Sequence, residues 1–576
     1  MQSLTIRAVA LVAVLLSMLA VPLGASAQAD QTCEAFPETQ QEICGLFLIY
    51  WENNGGLPVF GLPLTDEFQE LSSDTLTEHN VQYYERERFE HHPENDGTPY
   101  VILLGRLGVD VLTANGIDWM TLPKANPSDA HYMASTGQAI APEFWDYWSS
   151  HGLDFGDEGV SFRESLALFG YPVTPAEIET NADGDTVLTQ WYERARFELH
   201  ADGTVLLGRL GAEVNNDDGH FAIRVQLEMD AVLRKEFAAY ESHGTMVGVW
   251  SGDGGEWVGN LGVANPDTGA PYAFDTHQRI GSNTKTFTAT LILQLVDQGL
   301  LSLDDTIDQW FEGVTYGDQI TVRMVLDMTS GIASYTLDPT WQEEFFDNPD
   351  RIWTPQELVD VAISLPPSFP PGQGWEYSNS NYVMLGIIIE AVTGEDIRAV
   401  LQELILDPLG LAQTSFPAPE DASLPEPYAR GDTQQGQPAG VTVDTTNWDP
   451  SWAFSAGAMT STVEDLRVWA RVLATGELLT PETQAARVTW LTSPPPLSPE
   501  KAFGLGITYE VGWLGFEGEL PGYNTGVWHR LDIDATIIIV SNSDIPSADN
   551  VSPTLAIYGR IFDILNREYP LPPAAE

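Results

Sequence analysis

The sequence predicts an α+β multidomain protein. Its C-terminal domain is expected to build an antiparallel sheet flanked by helices and to carry an all-helical subdomain, with small α+β repeats ahead of it. Three observations predict this. Three short motifs recur in the same order between residues 31 and 213. Strand-like runs stand at both ends of the remaining chain with a helical middle between them, as when one sheet is assembled from both ends of a domain. Finally, 576 residues exceed what one hydrophobic core serves, and 43% hydrophobic with 10% aromatic content is that of a folded chain.

Residues 1–27 read as a secretory signal. Arg7 supplies the positive charge, Ala8 to Leu23 the apolar stretch, and Ala25-Ser26-Ala27 a small-x-small cleavage site. An uncleaved anchor is the alternative, since the apolar stretch is marginal for spanning. No later run holds eighteen consecutive apolar residues, so no integral span is expected after cleavage. The expected location is secreted, extracellular or cell-envelope associated. Cys33 and Cys44, the only cysteines, follow this segment and are expected to form a disulfide closing a short loop. With two cysteines and no His-x-x-x-His cluster, a zinc site is not expected.

Repeat 1 spans 31–113 and repeat 2 spans 139–213, with 114–138 as a linker. Phe60-Gly61-Leu62-Pro63 returns as Phe169-Gly170-Tyr171-Pro172, Tyr84-Glu85-Arg86-Glu87-Arg88-Phe89-Glu90 as Tyr192-Glu193-Arg194-Ala195-Arg196-Phe197-Glu198, and Leu103-Leu104-Gly105-Arg106-Leu107-Gly108 as Leu206-Leu207-Gly208-Arg209-Leu210-Gly211. Each copy predicts a short helix, around Leu46–Asn53 and Glu143–His151, then a Gly-Pro turn and a strand. The polar run Asn215 to Gly219 marks a boundary.

The second domain is expected over 222–568. A helix at Val225–Ser242 precedes strands at Met246–Trp250 and Trp257–Leu261. Late strands are predicted at Gly506–Val511, Gly526–Leu531 and Ala535–Asn542, and a final helix at Ser552–Arg567.

The net charge of −58 disfavours nucleic acid and anionic membranes as partners, because the whole-protein field repels both. The acidic turns Asp183-Gly184-Asp185 and Asn215 to Asp218 lack the ligand pattern of a calcium loop.

Ser282-Asn283-Thr284-Lys285 carries chemistry. A serine hydroxyl needs a base beside it, and i, i+3 spacing on a helix puts both side chains on one face. Gly281 breaks the preceding run, and Thr286 to Val296 reads as a buried helix. Ser282 is expected in its first turn, at the positive end of the dipole. Desolvation of Lys285 by the apolar surface would lower its pKa and make it a usable base.

From about residue 225 to 567 the chain resembles the beta-lactamase-related serine hydrolases, which include class C beta-lactamases, D-alanyl-D-alanine carboxypeptidases and esterases. The resemblance rests on five stretches. They are Arg279 to Thr288; Leu301-Ser302-Leu303-Asp304-Asp305; Ile320 to Ile332; Pro371-Gly372 with Tyr377 to Tyr382; and Ala456 to Leu466. It implies the beta-lactamase and penicillin-binding-protein fold, with Ser282 as nucleophile. Tyr377 beside Lys285 would shuttle protons, and Asn379 would orient Lys285 and contact substrate. It implies no metal and no organic cofactor. The third motif departs from the pattern: Phe516-Glu517-Gly518 stands where relatives carry Lys, His or Trp at the first position. Gly518 keeps the small residue that lets substrate approach, while Phe516 cannot bind a carboxylate. The oxyanion hole is expected from the N–H groups of Ser282 and Glu519. Met328 stands where His is common, a position taken as structural.

The expectation is a secreted serine hydrolase acting on an ester or amide through an acyl-enzyme, esterase-like in preference. One alternative is a D-alanyl-D-alanine carboxypeptidase or beta-lactamase; another is a catalytically weak cell-envelope-binding protein. The expected partner is a small-molecule or peptide substrate. The Phe-Gly-x-Pro blocks resemble LGFP-type repeats of secreted bacterial proteins, which implies contact with cell-envelope material; a structural spacer is the other reading.

Overall fold

The computed structural model describes residues 32–181, 184–217 and 220–572. The signal assigned to residues 1–27 lies outside them. The described chain forms two compact units, one ending at Val232 and one beginning at Leu233, within the helix Ile223–Ala239.

In the N-terminal unit, Cys33 and Cys44 are bonded and face each other across a hairpin of Cys33–Phe36 and Gln41–Cys44. Two four-stranded antiparallel sheets follow. The first orders Phe68–Leu71, Glu78–Tyr83, Arg88–His91 and Ile102–Leu104; the second orders Glu177–Thr180, Thr186–Trp191, Arg196–Leu199 and Val205–Leu207. Register repeats with the sequence: Tyr83 pairs Arg88 as Trp191 pairs Arg196. The copies also grip each other reciprocally. Gly108 N donates to Glu193 O and Ala212 N to Glu85 O, both at 3.1 Å, while Arg106 pairs with Glu193 and Arg209 with Glu85. The repeated glycine of this block has a steric reason. A Cβ on Gly108 would lie 2.0 Å from Tyr192 O, and one on Gly211 would lie 1.8 Å from Tyr84 O. One shared core holds Phe47, Phe60 and Phe89 with Trp148, Phe169 and Phe197.

The expected linker 114–138 is more structured than its composition suggested. It contains a helical turn at Trp119–Thr121 and one strand of a hairpin, Tyr132–Met133 with Gln138–Ala139. Buried Gln138 ties it down by donating to Pro123 O at 3.0 Å.

The C-terminal unit is built on a seven-stranded antiparallel sheet. Its order is Glu256–Gly262, Gly244–Trp250, Ala535–Ser541, Tyr523–Arg530, Trp513–Leu520, Thr508–Glu510 and Lys501–Phe503. The early hairpin thus zips onto the last strands, as expected of a sheet made from both ends. The central strands are buried throughout because both faces are covered. The terminal helix Pro553–Glu568 covers one face, where Trp513 stacks on Phe562 at 4.8 Å. The helical body between residues 284 and 487 covers the other, where Phe287 stacks on Trp469 at 3.9 Å. Its axis is the helix Thr284–Asp297, buried on all sides over Thr284 to Leu293. A helix apolar around its whole circumference belongs inside a core. The leading helix ends at Ala239 rather than Ser242, and the expected Gly526 strand begins at Tyr523.

Candidate active site

Ser282 lies in a single 3-10 turn, Gly281–Asn283, that leads into the helix Thr284–Asp297. Two glycines let this turn touch the strand Trp513–Leu520. Gly281 takes φ +54°, and a Cβ there would fall 2.6 Å from Glu519 N; a Cβ on Gly518 would fall 2.0 Å from Ile280 O. The close approach brings the Glu519 N–H against the nucleophile's turn, as an oxyanion donor requires.

Lys285 is one turn along and fully buried. Its Nζ lies 2.9 Å from Ser282 Oγ, 2.8 Å from Asn379 Oδ1 and 2.7 Å from Ala456 O. Burial pushes its pKa well below the usual lysine range. Nζ is the donor in all three contacts, and the lowered pKa favours release of one of its protons beside the Ser282 hydroxyl.

Tyr377 OH donates to Ser282 Oγ at 2.6 Å. Its pKa is pushed up above the ordinary tyrosine range, chiefly by burial; the Ser282 hydrogen bond opposes this and the charges of Glu519 and Glu517 add to it. The phenol therefore keeps its proton. The Lys285 Nζ sits 4.8 Å from the Tyr377 ring centroid. Lys285 Nζ and Tyr377 OH thus both reach Ser282 Oγ, at 2.9 and 2.6 Å.

Asn379 opens the helix Asn379–Thr393. Its Nδ2 donates to Thr336 Oγ1 and its N–H to Ser334 Oγ, both at 3.1 Å, and the two hydroxyls are 2.8 Å apart. These contacts fix the amide with Oδ1 toward Lys285. Met328, at φ +67°, braces the same loop: its Sδ accepts from Ser378 N at 3.4 Å and Asn381 Nδ2 at 3.5 Å. Ser334, Thr336 and the Ala456 carbonyl were missed in the sequence. The block around Ala456 gave a signal, but backbone roles leave none.

Phe516 is buried, its ring 6.0 Å from Phe503, which in turn contacts Trp375 at 5.5 Å. It brings no cation. Arg279 is held away by the carbonyls of Ala422, Thr446 and Trp448, and His529 is engaged with Thr536 and Asp534. Glu517 reaches the terminal helix, accepting from the hydroxyls of Ser552 and Thr554 at 2.5 and 3.0 Å. Among the described residues, one cluster of cysteines and acids has its ligand atoms close enough to share an ion: Cys33, Glu42 and Cys44. There the two sulfurs are already bonded to each other.

A serine at the head of a buried helix, with a lysine one turn on, a tyrosine and asparagine from a facing loop and a strand N–H behind it, is the catalytic layout of one class of serine hydrolase. Residues 229–558 match the Beta-lactamase family model, and the chain belongs to that family. Similar curated proteins include Penicillin-binding protein 4* of Bacillus subtilis (strain 168), 33% identical over 159 residues, or 27% of this chain and 34% of that protein. Esterase EstB of Burkholderia gladioli is 31% identical over 181 residues, 30% of this chain and 46% of that protein. These matches span less than half the length of either relative. Among solved structures, a D-stereospecific amidohydrolase from Streptomyces sp. superposes with a TM-score of 0.52 at 29% identity, over 59% of this chain and 98% of that one. The family's members here include an esterase, an amidohydrolase and penicillin-binding proteins.

Proposed function

We propose that the protein is a serine hydrolase that cleaves an ester or amide carbonyl through an acyl-enzyme on Ser282, and that its substrates are esterase-like rather than carboxylate-bearing. The observation that carries this reading is the buried Lys285 amine 2.9 Å from Ser282 Oγ, its pKa lowered by burial toward that of a usable base. Ser282 Oγ attacks the carbonyl carbon while its proton passes to Lys285 Nζ. The oxyanion rests between the N–H groups of Ser282 and Glu519, each such donor typically contributing about 3 kcal/mol to the transition state. Tyr377 gives its phenolic proton to the leaving oxygen or nitrogen and is reprotonated from Lys285. Water then attacks the acyl carbonyl by the reverse proton path and frees Ser282.

Substrate preference rests on Phe516. A carboxylate beside the reacting carbonyl would meet the aromatic wall of Phe516 with no cation on it, and a buried carboxylate without a partner is costly. The similarity to both an esterase and an amidohydrolase leaves either bond within reach of the site. The reading also takes the protein to be exported, supported by the signal-like leader and the Cys33–Cys44 bond, with the duplicated unit contacting cell-envelope material.

The test compares a short-chain nitrophenyl ester with a D-alanyl-D-alanine peptide and a cephalosporin. Native protein should turn over the ester faster, and Phe516→His or Phe516→Lys should shift the ratio toward the carboxylate substrates. Faster native cleavage of the carboxylate substrates contradicts the preference.

A further inference from the structure

Gly281 and Gly518 let the turn of Ser282 and the strand Trp513–Leu520 come into contact, but a glycine only removes an obstruction. It exerts no pull and sets no lateral position. The two N–H groups that would hold an oxyanion, those of Ser282 and Glu519, belong to these two separate elements, so their spacing needs a fixing device. The neighbouring strand, Tyr523–Arg530, supplies the anchor points. In its register with Trp513–Leu520, Thr525 stands opposite Gly518 and Asn524 opposite Glu519.

Two primary amides, one on each side of Ser282 in the chain, fasten onto this pair. Asn283 Nδ2 donates to Thr525 O at 3.0 Å. Gln278 Nε2 donates to Asn524 O at 3.1 Å and to Thr525 Oγ1 at 2.7 Å. Both residues are fully buried. The Asn283 amide passes close to Gly518, where a Cβ would lie 2.8 Å from its Nδ2. Each residue is itself held. Tyr272 OH donates to Gln278 Oε1 at 2.9 Å, and Thr286 Oγ1 donates to Asn283 O at 2.7 Å.

Stability alone does not call for an amide at position 283. Its Oδ1 has no hydrogen-bond partner although the residue is 0% exposed. An unpaired buried acceptor is costly, and an apolar side chain would avoid it. What the amide adds is a directional bond to the strand, which an apolar contact lacks.

Resting on the hydrolase reading above, we infer that Gln278 and Asn283 are positioning residues for the oxyanion site. They form a two-amide clamp that fixes the Ser282 N–H relative to the Glu519 N–H. Being fully buried, they act through the strand Tyr523–Arg530 and its pairing with Trp513–Leu520.

The experiment uses the full chain, its variants Asn283→Leu and Gln278→Met, a short-chain nitrophenyl ester and phenylboronic acid. Both substitutions roughly keep side-chain size and remove the amide. The boronic acid adds to the Ser282 oxygen as a tetrahedral anion, the serine proton passing to Lys285, so its affinity reads the oxyanion site. Each variant, checked for native circular dichroism, should lose about tenfold or more in kcat with KM within about twofold, the scale of a misaligned reacting group. Affinity for phenylboronic acid should fall in parallel with kcat. Native kcat in either variant overturns the clamp and leaves the hydrolase reading standing. A rise in KM alone also overturns it, as does a loss of kcat with native boronate affinity, since the oxyanion site is then unmoved. Failure of both variants to fold overturns it too, because the bonds would then hold the fold rather than the site. Absence of turnover by the native chain, together with failure of a fluorophosphonate to label Ser282, overturns the hydrolase reading and the clamp with it.

Discussion

At the scale of single residues, the site turns on where two protons rest. Lys285 must be neutral to accept the Ser282 proton, and burial lowers its pKa, so turnover should fall as the pH drops through that lowered value. Tyr377 must hold its proton, and burial raises its pKa, so no loss is expected as pH passes the ordinary tyrosine value of about 10. A pH profile of kcat/KM on an uncharged ester should therefore show a rising acidic limb and no fall in the tyrosine range. A descending limb in that range would mean that Tyr377 titrates normally. Lys285→Ala should lower kcat on the order of a thousandfold, the scale of a lost general base. The hydroxyl of Thr336 accepts from Asn379 Nδ2 at 3.1 Å and so helps to orient that amide. Thr336→Val should lower kcat by about tenfold with KM little changed, and Thr336→Ser should restore most of it. Equal effects of the two substitutions would mean that the contact does not position the amide. Ser282, Lys285, Tyr377 and Asn379 were legible in the sequence because their chemistry is fixed by side-chain type at short spacing. The roles of Gln278 and Asn283 were not: their carbonyl partners, Asn524 O and Thr525 O, lie 246 and 242 residues away.

At the scale of elements, the turn of Ser282 and the strand of Gly518 are held at backbone contact by two glycines. Gly518→Ala would drive a methyl group to 2.0 Å from Ile280 O, and only movement of the strand could relieve it. The expected outcome is a folded protein whose kcat/KM on a short-chain ester falls by about a hundredfold, the scale of a misplaced reacting group. Fluorophosphonate labelling should slow in parallel. Unchanged turnover would place the oxyanion donor elsewhere. The catalytic helix was legible as an apolar run after Ser282, but its first turn was not resolved correctly. The helix proper starts at Thr284, and Ser282 occupies a separate 3-10 turn shaped by the positive φ of Gly281. The segment 114–138 was misread for a related reason. Its short strands are fixed by tertiary ties such as Gln138 to Pro123, which polar composition does not announce.

At the scale of the whole molecule, the duplication and the two-ended sheet were both legible, since repeated motifs and strand position survive in a single sequence. The reciprocal grip of the repeats was legible only as glycines without a stated purpose. None of the matched hydrolase motifs falls in the N-terminal unit, and the family match begins at residue 229. Residues 222–576 expressed alone should therefore hydrolyse a short-chain nitrophenyl ester within about threefold of the full chain. Insolubility or loss of turnover would show that catalysis depends on the N-terminal unit. The net charge of −58 adds a long-range preference for cations over anions. The most direct measurement of the central claim is covalent. A fluorophosphonate should add once to the native chain, and peptide mass spectrometry should locate the adduct on Ser282, with none on the Ser282→Ala variant. An adduct on another serine, or undiminished labelling of that variant, would contradict the account.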